Sequence, residues 1–466
     1  MKKRICLGFM LILALLMGGG CAALADDALY PIREDGKWGY MNRMGETVIP
    51  PQWTDARPFS GGAAVVTVDE EGNIRLIDQT GRPIGEETYD GRWKETPFSY
   101  LLLQYGEDGH ERWGWYDKQS GHAETCRYIV LQDCVTDCGL ILGQWEENGE
   151  GKIAFLRRDT GEVVIPIAPE GEIYSSEGFS EGYAYLDIEG EQGWTHLLID
   201  ESGKQLELPE GVWPSSAVHD GVLVIAEEEE NHGVAKPDGA IVMAPDAVYI
   251  DPFSEGRALF CPKDQPYDTV GILDTEGNVI AKPTWTLDGG WYGADGVGFR
   301  NGYAVLLTLT DNQASRGEFV ILDREGMEVF RTKAHPDDDT TLLLPNSVME
   351  NGLIWYRLNQ KGEAKYGLLR IREGFTQDLT GPVFDAVGGV SQKDLRGFYD
   401  GSLRFSQGLY PVCLDGKWGY IDENGQWALP PVYDAAEHFC GGLAMTESGG
   451  KLQYIDRDGA AVWKEN

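Results

Sequence analysis

Two short stretches of this 466-residue chain carry residue types that could act as nucleophiles. Gly178-Phe179-Ser180-Glu181-Gly182 spells G-x-S-x-G, the pattern of a strained elbow that exposes a catalytic serine. Such an elbow needs a strand, a sharp turn and a helix, with a distant His and acid. Phe253-Ser254-Glu255-Gly256 repeats the same residues behind Pro252 instead of a first Gly, so the stretch reads as a recurring turn. His438 and Cys440 lie two residues apart. In a strand they would share one face, which suits a Cys–His nucleophile. Cys440, however, occupies the place of the turn Ser in other copies, so a disulfide or a plain turn residue is the reading taken. No catalytic residue is assigned.

Metal and cofactor signals are weak. His110, His122, His196, His219, His232, His335 and His438 are scattered, with no H-E-x-x-H and no His/Cys cluster of zinc-site spacing. Acidic turns such as Asp274-Thr275-Glu276-Gly277 and Asp422-Glu423-Asn424-Gly425 offer oxygen ligands for Ca²⁺, but neither follows the EF-hand order. Asx-type turns account for them better. No cofactor is expected, with Ca²⁺ the one ion kept open. Cys126, Cys134, Cys138, Cys261, Cys413 and Cys440 follow the N-terminal segment; an even count in an exported chain allows disulfides in 15 pairings. Cys134 and Cys138 are spaced to close a small loop. Cys413 and Cys440 fall in neighbouring units and could staple the C-terminal end.

These residues are set in a repeating frame. A turn glycine recurs at Gly45, Gly81, Gly121, Gly161, Gly203, Gly239, Gly277, Gly326, Gly374, Gly425 and Gly459, in steps of 34 to 51 residues. A period near forty marks small supersecondary units that bury their apolar faces against neighbours. The clearest unit runs from Gly408 to Gly442. Leu409 to Leu414 is a strand, Asp415-Gly416 a tight turn, and Lys417 to Asp422 a second strand. Glu423-Asn424-Gly425 turns again. Gln426 to Pro430 is a third strand, ended by Pro430-Pro431. Val432-Tyr433-Asp434 starts a short fourth segment, and Phe439-Cys440-Gly441-Gly442 leads to the next unit. Residues 29–62 follow the same order, with Gly36-Lys37-Trp38-Gly39-Tyr40, Val48-Ile49-Pro50-Pro51 and Phe59-Ser60-Gly61-Gly62. The middle copies keep a skeleton only, as at Trp113-Gly114, Gly193-Trp194, Val270-Gly271 and Tyr366-Gly367.

In these residues the chain resembles the WG-repeat (KWG-repeat) proteins. The resemblance spans residues 29–463 and is specific in the two outer copies. It implies an all-β repeat module and transfers no catalytic residue. A weaker likeness to choline-binding cell-wall repeats rests on paired Trp-Gly and Tyr, at about half the period. The expected fold is all-β: some 10–11 tandem antiparallel meanders in an open twisted array over residues 26–466, with one or two propeller-like rings as the alternative. Too few residues precede the first strand to complete the last unit by strand exchange. The period stretches near 284–300, 328–348 and 375–404. The Gly-rich loop Trp285 to Asp295, with three aromatic and two acidic residues, is the best-placed binding feature, because insertions in repeat arrays gather on the binding face.

Lys2, Lys3 and Arg4, the apolar run Ile5 to Met17, and Ala23-Leu24-Ala25 follow the plan of a secretory signal cleaved after Ala25. Acylation of Cys21 as a lipoprotein is the lesser reading, since Gly18 replaces the usual Leu. The formal charge of −37 becomes more negative once those three cations leave. Such a surface repels nucleic acid and anionic lipid, and no membrane span is expected in the mature chain. The functional expectation is a secreted or extracytoplasmic, non-catalytic binding or scaffold protein for a protein or cell-surface glycan. A secreted glycan-active hydrolase and a structural envelope spacer are the alternatives.

Overall fold

The structure is a computed structural model. It describes residues 28–466 apart from 107, 135–137, 169–170, 192, 229–230, 267–268, 288–297, 310–316, 332–339, 344–350, 361–362, 373–374 and 389–405. The signal segment, most of the Gly-rich loop and much of the other two insertions therefore lie outside the described residues.

Every described element is a β-strand, and every pairing is antiparallel between neighbours in sequence. The strands make ten open sheets. One of them is seven-stranded and holds two meanders, because Ile241–Ile250 closes one and opens the next. Eleven meanders thus follow one another, as the glycine period indicates. In the last complete pair, Ala386–Val387, Leu409–Leu414, Lys417–Asp422 and Trp427–Tyr433 form one sheet. Ala435–Ala436 then pairs with Glu447 and Thr446 of the following sheet. The expected fourth segment is therefore handed forward, and Val432 and Tyr433 end the third strand.

The KWGY motif has a steric logic. Trp38 is half-buried while Tyr40 is fully buried. Tyr40 packs on Phe59 with ring centres 4.8 Å apart, and its hydroxyl donates to the Arg57 carbonyl at 2.8 Å. Tyr420 repeats this against Phe439 and the Glu437 carbonyl, at 4.8 and 2.8 Å. The Gly between Trp and Tyr serves a close approach. A Cβ on Gly419 would lie 2.7 Å from the Leu429 carbonyl oxygen and from Pro431 N. Gly39, Gly233 and Gly271 meet the same carbonyl-and-proline crossing. The third strand bulges there, as the register shift between Trp418 and Tyr420 records.

Each sheet is buried on both faces, so its inner strands read as continuous apolar runs. Ala64 and Val66 pack back on Tyr40, Ile49 and Trp53. Ala63 and Val65, one residue out of phase, pack forward on Tyr100, Leu102 and Tyr116. The same division places one apolar cluster between each successive pair of meanders. An eleventh cluster joins the last meander to the first. Tyr30, Ile32 and Met41 pack on Leu443 and Tyr454. Tyr454 donates to the Pro31 carbonyl at 2.8 Å, Tyr30 to the Gly441 carbonyl at 2.9 Å, and Arg33 pairs with Glu465 at 2.8 Å. No strand is exchanged between these two sheets. The tandem row of open meanders is thus observed, and its two ends meet face to face, the contact on which the ring alternative depends.

The expected Cys413–Cys440 staple does not form. Cys413 is a buried thiol in the cluster between the tenth and eleventh meanders. Cys126, Cys134, Cys138 and Cys261 are thiols as well.

Gly419→Ala should destabilise the protein by about 1–3 kcal/mol, the usual cost of overpacking. Met44→Ala, on a side chain 74% exposed, should change stability by less than about 0.5 kcal/mol. Urea denaturation of the two variants checks the contrast.

Candidate ligand-binding ledge

The fifth meander is built from Glu172–Ser180, Tyr183–Gly190 and Gly193–Asp200. Its first strand bulges between Ile173 and Ser175, and Tyr174 is the extra residue. A bulge re-aims a side chain, and Tyr174 is 72% exposed. It meets Trp194 edge to face, with ring centres 4.8 Å apart. Trp194 is itself 49% exposed. In the outer copies Trp precedes Gly and lies half-buried or buried. Here Gly193 precedes Trp194, and the ring opens to solvent instead of joining the core.

Two residues along the same strand, His196 stacks on Trp213, with rings 5.5 Å apart and 15° from parallel. Asp187 stands opposite His196 in the ladder and accepts from its Nδ1. The same carboxylate oxygen accepts from the Tyr185 hydroxyl at 2.6 Å. Burial, and then the bond to Asp187, raises the Tyr185 phenol well above its ordinary pKa. It therefore remains a donor. With Nδ1 donating to a carboxylate, neutral His196 keeps the lone pair on Nε2. The result is a graded ledge: two exposed rings at the rim, then a stacked His–Trp pair, then a carboxylate fixed by two donors. Such a surface can hold a flat apolar face while offering hydrogen bonds beside it.

The other sequence candidates take structural places. Glu181 and Gly182 have φ of 50° and 86°, the left-handed pair of a two-residue type I′ hairpin. Ser180 and Tyr183 close it as an antiparallel pair. No strand-to-helix elbow exists there. The extra Gly178 has a different cause: a Cβ would lie 2.7 Å from Cys134 Cα. Glu181 Oε1 and Oε2 accept from the N–H groups of Asp220 and Gly221 in the next turn, at 2.7 and 2.8 Å. Glu255 does the same for Asn301 and Gly302, at 2.7 and 2.7 Å. The repeated Ser-Glu-Gly is therefore a turn-to-turn clasp. Asp274 Oδ1 and Asp422 Oδ1 likewise accept from the N–H groups of their own turns, in Asx-turn geometry. Among the described residues no three His, Cys, Asp or Glu side chains converge as a metal site requires.

His438 rests against the Tyr410 ring at 5.1 Å, and Cys440 closes the exit turn by pairing its backbone with Leu443. Trp285 is core, donating from Nε1 to Glu328 at 3.0 Å. Residues 288–297 of its loop lie outside the described residues.

A cavity of about 290 Å³ opens beside the fourth meander, lined in part by Asp117, Cys138, Arg158 and Glu201. Asp117 Oδ2 accepts from the Ser120 N–H and hydroxyl at 2.9 and 2.6 Å. Buried Arg158 lies 3.8 Å from Asp117 and 3.4 Å from Asp133.

The repeat described as "WG containing repeat" matches residues 38–71, 399–418 and 418–451. No curated protein matches the chain. Among solved structures, a eukaryotic initiation factor is 12% identical, covers 75% of this chain and 95% of its own, with a TM-score of 0.40. The computationally designed Ika8 protein is 13% identical over 73% of this chain and 98% of its own, at 0.35. BamB from Moraxella catarrhalis is 10% identical over 79% and 92%, at 0.28. Likenesses this distant carry no inference about activity.

His219, at the turn clasped by Glu181, donates to Glu177 at 2.8 Å. That bond, against an opposing cost of burial and aided by Glu181 and Asp220, raises its pKa above 6.5. A raised folded pKa contributes stability that is full below about 6.5 and is lost as pH rises through the folded value. The stability difference between the native chain and His219→Gln should therefore shrink as pH rises above about 6.5 and through the raised folded value. Thermal unfolding across that range measures it.

Proposed function

We propose that this chain, which carries WG-containing repeats at both ends of its array, is a secreted non-catalytic binding protein for a cell-surface polymer or a protein. The observation that carries the reading is the exposed Tyr174–Trp194 pair beside the Asp187–His196–Trp213 group. Exposed large rings are costly to leave in water, and two in contact on a bulged strand offer a platform for a sugar face or a proline- or aromatic-rich peptide. The carboxylate fixed by Tyr185 and His196 supplies orientation. Two donors on one oxygen hold it in a fixed orientation.

The test is a glycan array and affinity capture from the producing cell's envelope, run with the native chain and with Tyr174→Ala/Trp194→Ala. The native chain should retain a ligand, and the double variant should lose at least about ten-fold in affinity, as expected when contact aromatics are truncated. Its thermal transition should be unchanged. Equal retention by the variant would remove the ledge from the reading. Polysaccharide hydrolysis without any retained ligand would overturn the binding function itself.

A further inference from the structure

The Cys134–Cys138 pair and the cavity beside it belong to none of the features used above. Cys134 follows the strand Val130–Asp133, and Cys138 precedes Leu140–Glu147. Both sulfurs approach one apolar cluster between the fourth and fifth meanders. Cys134 is part of that cluster at 4% exposure, whereas Cys138 packs on it and is only partly buried. Cys138 also lines the 290 Å³ cavity, beside Gly139 and Arg158. Both cysteines are thiols, and each is the strongest electrostatic influence on the other. Gly178 leaves room for this arrangement, since a Cβ there would lie 2.9 Å from Cys134 Sγ.

We propose that Cys138 and Cys134 are a thiol–disulfide exchange pair acting on a low-molecular-weight disulfide admitted to this cavity. The division of labour follows from placement. Cys138 faces the cavity and is the attacking group; Cys134, sealed behind it, resolves. Electrostatics runs the same way. The hydrogen bond with Cys134, helped by the Arg158 guanidinium, lowers the Cys138 pKa despite an opposing cost of burial. The same hydrogen bond, then burial, raises that of Cys134. A lowered thiol near a fixed cation is the reactive one, and a raised, buried thiol waits.

The chemistry balances without another reactant. Cys138 thiolate attacks one sulfur of the external disulfide, breaking its S–S bond. One thiolate leaves and takes a proton. A mixed disulfide remains on Cys138. Cys134 then loses its proton and attacks Cys138 Sγ, expelling the second thiol. The external disulfide has gained two electrons, and the protein dithiol has lost two as the Cys134–Cys138 bond forms. A cavity of about 290 Å³, just under the usual range of small-ligand sites, takes one end of a small disulfide and excludes a folded partner.

The probe is oxidised glutathione, applied to the full reduced chain and followed by intact and peptide mass spectrometry. The native chain should release two glutathione molecules and acquire the Cys134–Cys138 bond, reversibly under reduced glutathione. Cys134→Ser should stop at glutathionylated Cys138. Cys138→Ser and Cys138→Ala should do neither, while Cys413 stays unmodified in all. On the native chain, iodoacetamide should label Cys138 at least about ten-fold faster than Cys126 at pH 7, as a lowered thiol pKa requires. Labelling of Cys138 no faster than Cys126 overturns the proposal. So does exchange that survives loss of Cys138, or a bond that forms once and resists reduced glutathione.

Discussion

No meander in this chain can bury its own apolar surface, and the rest of the structure follows from that. Each inner strand is apolar on both faces, and successive residues serve opposite neighbours: Ala64 and Val66 face back, Ala63 and Val65 face forward. A sheet with two greasy faces is stable only as the filling between two others. Burial of one such strand pair is worth several kcal/mol at about 25 cal/mol per Å², and most of that return depends on the adjacent unit being present. The array propagates this need along its length, and the outermost two faces satisfy it with each other through Tyr30, Ile32, Met41, Leu443 and Tyr454.

The polar details serve the same end. Turn clasps such as Glu181 on Asp220 and Gly221, and Glu255 on Asn301 and Gly302, fix the pitch from one unit to the next. They use carboxylates to satisfy turn N–H groups, so part of the chain's acidity is structural. Three features do not follow this pattern. Tyr174 occupies a bulge that adds nothing to the core. Trp194 faces water where its counterparts face protein. Cys134 and Cys138 place two sulfurs beside a cavity that packing alone would fill.

The repeat and its all-β character were legible because they are local. Trp38-Gly39-Tyr40 and Trp418-Gly419-Tyr420 mark the second strand of each outer copy; that Trp38 is half-buried and Trp418 buried, and that the Gly serves a close crossing, comes from the structure. Pro430-Pro431 reads as the end of the third strand, yet Trp427–Tyr433 runs through it, as Thr47–Trp53 runs through Pro50-Pro51, because the strand bulges there. The handing forward of Ala435–Ala436 was not legible, since two alanines carry no signal for which sheet they join. The meeting of the ends was invisible for a stronger reason. Tyr30 and Gly441 are 411 residues apart, and nothing near either residue specifies the other. Gly193-Trp194 kept the residue types of the frame but reversed their order, and a one-residue shift in a strand reverses the face, so the exposure of Trp194 was not legible. Gly178 spelled a catalytic motif for a packing reason that lies in Cys134, on another sheet.

Amide hydrogen exchange at Tyr30–Met41 in the native chain and in Tyr454→Ala tests the mutual burial of the two ends. The account predicts that removing one ring from the last meander strips protection from the first, some 420 residues earlier in sequence, while Leu223 to Ala235 in the middle stay protected. Unchanged protection at Tyr30–Met41, with loosening confined to Ala444–Ile455, would contradict it.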